Sequence, residues 1–247
     1  MKCFYTLIFL AFWSQIYGQT FFTTDYIALA VPQHYDGDIY FMNLETLTQE
    51  VRPMSTIPNN SELLSSFPNL VSNVTVYQVE KDGGLTIGGI GISAKNEIYQ
   101  VIYDFSQTQT LVSEEDGKPK SVLIGVGVRM VAKVKTRKAC INLTNPFSLV
   151  ANSKNITGSL EVRVIGLASS KINDLIPTTT DLSPASISVA LQSIATIKTQ
   201  MYAEETIVTP QYIAFNLGDE ALKRNNLEIN KLNTLQPVEA SSSKKGD

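Results

Sequence analysis

Polar and apolar residues alternate most regularly on the two sides of Asp116-Gly117. One run extends from Glu97 to Glu115 and the other from Lys118 to Thr136. An Asp-Gly pair between two alternating runs is the sequence of a two-residue hairpin turn. With Glu115 facing Lys118, Phe105 falls opposite Val128, Tyr103 opposite Met130, Val101 opposite Ala132 and Tyr99 opposite Val134, which makes one face apolar. The other face pairs Asp104 with Arg129, Ile102 with Val131, Gln100 with Lys133 and Ile98 with Lys135. A slip of one residue would mix the two faces, so the pattern specifies its own register. Strands this long must coil, and Gly125 and Gly127 on the polar face leave room for a strong bend.

Shorter strands are predicted on either side. Asp25 to Val31 and Asp38 to Leu44 flank the loop at His34, and Val74 to Glu80 alternates. Leu85 to Ile92 changes phase at Gly88-Gly89, as at a bulge. Leu160 to Leu167 alternates, and Thr206 to Asn216 carries Pro210, which puts it at an edge or a bulge. Pro53 to Asn73 reads as loop with a helical turn near Glu62 to Phe67, Ile141 to Val150 as irregular chain, and Pro177 to Leu182 as a Thr-rich loop.

The clearest helix follows that loop. Ser183 is suited to the N-cap and Pro184 to the first turn. Ile187, Leu191, Ile194 and Met201 form an apolar face that Val189, Ala190 and Ile197 widen. No charge occurs from Pro184 to Ile197. A solvated helix ordinarily carries charge on its outer face, so this one is expected to be covered on more than one side. The reading is an α+β fold: a strongly coiled antiparallel sheet with one long buried helix, Pro184 to Tyr202, packed on its apolar face. One domain is expected over residues 19–217, followed by a polar, partly disordered tail over residues 218–247.

Composition narrows the compartment and the class. The first residues read as an export signal: Met1-Lys2-Cys3 is basic, Phe4 to Trp13 is apolar except for Thr6, and cleavage is expected after Gly18. The apolar run is too short to span a bilayer, and no later segment reads as a membrane helix. Removing residues 1–18 removes Cys3 and leaves Cys140 as the one thiol, so the exported chain has no internal disulfide. The full sequence of 247 residues carries 20 basic and 23 acidic side chains, and mean hydropathy is +0.02. That is too apolar for a disordered chain and not basic enough for a nucleic-acid binder. Asn59, Asn73, Asn142 and Asn155 each begin an Asn-x-Ser/Thr motif, which a chain rich in Asn and Thr also produces by chance.

Catalytic chemistry has little to stand on. The one histidine, His34, lies in His34-x-Asp36-x-Asp38. On extended backbone these three side chains point the same way, as a small cation site requires, although Asp36-Gly37-Asp38 also makes an ordinary turn. No nucleophile elbow is present, and Gly88-Gly89-Ile90-Gly91 is followed by no P-loop Lys, so no cofactor is called for. Asp104, Glu97 and Glu161 supply carboxylates without singling out a pair. Arg129, Lys133, Lys135 and Arg137 form a basic ridge on one strand face, suited to an anionic partner or simply solvated. Tyr99, Tyr103, Phe105 and Met130 would line an apolar pocket beneath the curled sheet. Ser106 to Thr110 is a Ser/Thr-rich stretch of the kind that lines membrane pores.

The function expected is therefore that of a secreted, non-enzymatic, β-rich protein that binds a partner or an apolar ligand. A carboxylate- or cation-dependent hydrolase is the alternative, and a pore-forming protein the second alternative.

Overall fold

The structure is a computed structural model, and it describes residues 26–43, 46, 48–88, 91–92, 96–115, 118–137, 141–143 and 145–216. The stretch read as an export signal, Cys140, Lys138, Asp116-Gly117, Gly89 and residues 217–247 lie outside the described residues.

The chain enters through β1 (Ile27–His34), a hairpin of β2 (Asp38–Asn43) and β3 (Thr48–Pro53), and the short helix α1 (Asn60–Ser65). Then come β4 (Asn69–Val79), β5 (Leu85–Ile87), β6 (Gly91–Ile92) and the long pair β7 (Ile98–Glu115) and β8 (Lys118–Thr136). After β9 (Ile141–Asn142) follow helix α2 (Pro146–Ala151), β10 (Ile156–Ile165), β11 (Leu167–Ala168), helix α3 (Ser170–Leu175) and β12 (Thr180–Asp181). Helix α4 (Pro184–Gln200), β13 (Ile207–Val208) and β14 (Gln211–Asn216) complete the described chain.

Strands β7 and β8 pair antiparallel in the register the hairpin predicts, from Glu115 opposite Lys118 through Phe105 opposite Val128 to Ile98 opposite Lys135. The other edge of β8 is shared. Strand β14 takes Ser121 to Gly125, and β10 takes Gly127 to Thr136. Beyond β7 lie β4 and then β5, and beyond β14 lies β1, giving the order β1-β14-β8-β7-β4-β5. This sheet is strongly curled. Strand β1, at one end of that order, reaches β4 near the other: the Ala28 amide donates to Thr75 Oγ1 at 2.9 Å, and the Tyr77 hydroxyl donates to the Ala28 carbonyl. Gly125 and Gly127 sit where the bend passes. A Cβ at Gly125 would lie 2.1 Å from the Gln107 carbonyl oxygen, and one at Gly127 2.4 Å from that of Phe105.

The curl gives one main core and two small satellite clusters, one of them Leu123, Ile165, Ile213 and Ala214. On the apolar face, Tyr99, Val101, Tyr103, Val128, Met130, Ala132 and Val134 join Ile187, Ala190, Ile194 and Ile197 of α4 in the main cluster. On the opposite face, Ile27, Ala28, Tyr77 and Ile102 form a small cluster where β1 covers the sheet.

The architecture is thus α+β, rich in antiparallel sheet. Several details differ from the sequence expectation. Strand β1 runs on through His34, β3 and α3 form where no element is expected, and β4 begins at Asn69 inside the stretch read as loop. Ile141 to Val150, read as irregular, contains α2, whose Asn145 side chain accepts from the Phe147 amide at 2.8 Å ahead of Pro146. And α4 is buried on one face only: Ala185, Ser188, Val189, Gln192, Ala195, Thr196 and Thr199 are exposed among the described residues. The absence of charge marks a bare face rather than a covered one.

Candidate functional site

The local sequence holds α4 firmly at its start. Ser183 and Ser186 form a reciprocal cap, with the Ser186 amide donating to Ser183 Oγ at 3.1 Å and the Ser183 amide to Ser186 Oγ at 2.9 Å. The Ser186 hydroxyl donates onward to the Asp181 carbonyl at 2.8 Å. Ile187, Ala190, Ile194 and Ile197 recur at helical spacing and face the sheet. At the other end, the Tyr202 hydroxyl donates to Gln107 Oε1 at 2.7 Å, so α4 runs alongside the long hairpin.

Two hollows flank the first half of α4. A groove of about 490 Å³ lies between α4 and α2, with Phe147 and Val150 on one wall and Pro184, Leu191 and Gln192 on the other. A smaller hollow of about 110 Å³ lies on the opposite flank, between Val189 and the segment at Leu160, Val162 and Pro177. No residue lining either hollow is ionisable. The ridge between them carries Ser188 and Val189, and Phe147 is 56% exposed and Val189 52% exposed. An exposed aromatic beside an apolar groove, rimmed by small polar groups, is a surface that can shed water onto a partner.

The residues singled out in the sequence fall elsewhere. Tyr99, Tyr103 and Met130 are wholly inside the main core and Phe105 packs against it, and none of the four lines either hollow. The Tyr103 hydroxyl donates to the Leu143 carbonyl at 2.9 Å, and burial pushes its pKa up. The apolar face is filled by α4 and its neighbours.

Arg129 leaves the basic ridge. It is fully buried, because β1 covers the sheet at its level. Lys133, Lys135 and Arg137 remain exposed. Their neighbour Glu161 is paired with Arg163, whose hydrogen bonds hold the Glu161 carboxyl below the usual range.

His34, Asp36 and Asp38 are exposed and are not gathered into a metal group: none of three or more His, Cys, Asp or Glu side chains occurs among the described residues. The buried residue of that loop is Tyr35, whose hydroxyl donates to the Asp38 carbonyl at 2.6 Å. The carboxylates are also engaged separately. Asp104 is paired with Arg129, and Glu97 accepts from the Tyr99 hydroxyl.

Ser106 to Thr108 lie between β4 and β8, and Gln109 and Thr110 continue the pairing with β8. The Gln109 amide nitrogen donates to the Ser66 carbonyl at 3.1 Å, while Gln109 Oε1 accepts from the Tyr40 amide at 3.2 Å. No helix among the described residues is long and apolar enough to cross a membrane.

With this geometry in view, the chain was compared with protein-family models, with curated proteins and with solved structures, and none matches. The groove beside α4 therefore stands on its own residues. The sequence held two signs of it: the charge-free stretch of α4, and Asn145-Pro146, which repeats the cap-then-Pro signal of Ser183-Pro184.

Proposed function

We propose that this is an exported binding protein without chemistry of its own, and that its partner is a protein that docks on the bare face of α4 and in the groove beside Phe147. The single observation that carries the reading is the pairing of an uncharged, exposed helix face with an apolar groove at the same place. A partner seated there would complete the burial of α4 and remove Phe147 from water, at about 25 cal/mol for each Å² of apolar surface covered. The leader at Met1 to Gly18 supports export, and the engaged carboxylates and dispersed His34 loop support binding over catalysis.

The reading is tested by placing a photo-crosslinking residue at Gln192, and a control at Lys135, in the full chain. Both side chains are exposed. A defined adduct at Gln192 that disappears with Phe147→Asp supports it. Saturable adducts at Lys135 with none at Gln192 overturn it in favour of the basic ridge.

A further inference from the structure

The four Asn-x-Ser/Thr motifs look alike in sequence, and folding makes two of them opposite cases. Asn59 is exposed, in extended conformation at φ −150° and ψ 158°, and caps α1. Its Oδ1 accepts from the Glu62 amide at 2.8 Å, and Ser61 of the same motif is exposed. The cap uses only the carbonyl half of the side-chain amide. A sugar attached at Nδ2 leaves that oxygen and its hydrogen bond in place, so helix capping and modification are compatible.

Asn73 is the reverse. It is 1% exposed, opposite Asp104 on β7. Its Nδ2 donates to Thr75 Oγ1 at 3.5 Å, and the same hydroxyl accepts from the Ala28 amide as β1 crosses. A glycan there would have to occupy the space that β1 fills.

From this contrast we infer that Asn59 is an N-glycan acceptor and that Asn73 is excluded from glycosylation in the folded chain. The inference rests on the export reading, because the donor is a lipid-linked oligosaccharyl pyrophosphate found in secretory compartments. Asn59 Nδ2 attacks C1 of the donor sugar. The N–C1 bond forms, the C1–O bond to pyrophosphate breaks, the amide loses one proton, and the lipid pyrophosphate leaves with the bonding pair. None of the four motif asparagines lines either hollow beside α4, so a glycan at Asn59 leaves the proposed docking face uncovered.

The test expresses the full chain in a eukaryotic secretory cell, once with its own leader and once with Met1 to Gly18 replaced by an established export signal. Peptide-N-glycosidase in H2-¹⁸O marks each occupied Asn, read by mass spectrometry against an enzyme-free control. The expected result is a mark at Asn59 and none at Asn73. Ser61→Ala is expected to remove the mark with an unchanged urea midpoint, and Asn59→Asp to remove it while keeping the cap. An exported chain without a mark at Asn59 overturns the inference, as does a mark at Asn73 on folded, monomeric protein. If only the chain with the replaced leader is exported and marked, the export reading fails and the inference fails with it.

Discussion

Arg129 grips both carboxylate oxygens of Asp104, Nε to Oδ1 at 2.6 Å and Nη2 to Oδ2 at 2.8 Å, with both side chains essentially closed to solvent. The guanidinium also donates to the Leu29 carbonyl and, at 3.4 Å, to that of Ala30. Those carbonyls belong to the irregular part of β1 between Ala28 and Gln33, where pairing with β14 is broken. The ion pair therefore supplies the hydrogen bonds that the bulge withholds. Removing one partner strands the other charge in the interior. Asp104→Asn is expected to cost about 3–5 kcal/mol in urea unfolding. Arg129→Met is expected, in addition, to speed hydrogen exchange at the Ala28 amide by loosening β1. A loss below about 1 kcal/mol for Asp104→Asn would show the site to be solvated.

Gly125 combines a positive φ of 156° with a partner-strand carbonyl 2.1 Å from where a Cβ would stand. Gly125→Ala is expected to destabilise the fold by about 1–3 kcal/mol, because the β7–β8 pair must open to admit the methyl group. Thermal unfolding measures it. An unchanged midpoint would mean that the bend is not fixed at this residue.

The two faces of α4 should respond differently. Ile194→Ala removes a buried side chain and is expected to cost about 2–5 kcal/mol. Gln192→Lys puts a charge on the bare face and is expected to stay within about 0.5 kcal/mol of the parent. The comparison separates folding from docking. If the lysine were strongly destabilising, the outer face would already be covered in the isolated chain.

Alkaline pH should weaken the fold. Burial, and next the neighbouring Tyr212, push the Tyr35 hydroxyl from 10 up to about 12. The unfolded chain then loses this proton first. The tyrosine's contribution is full below pH 10 and is lost as pH rises toward about 12. Tyr77 and Tyr103, also raised chiefly by burial, act in the same direction. Urea midpoints are expected to fall across that window, and Tyr35→Phe to reduce the slope. A flat profile would contradict the burial of these hydroxyls.

Local pattern reached far into the fold. Alternation on both sides of Asp116-Gly117, together with the two-residue turn, specified the β7–β8 register, since a one-residue slip would have put Lys133 among the core residues and Val134 in water. Ser183-Pro184 marked the start of α4 for a similarly local reason, a cap and a first turn made from adjacent residues. The same signal at Asn145-Pro146 marked α2, but six residues lack the repeats that make a periodicity visible.

What only the tertiary structure decided is which face meets which. Arg129 and Lys133 share a strand face and are indistinguishable by pattern. Strand β1 arrives from about 100 residues away in sequence to bury the first and leaves the second in solvent. The bare side of α4 and its groove with α2 arise in the same way, because exposure depends on how many elements reach a surface. No single stretch of sequence records that number.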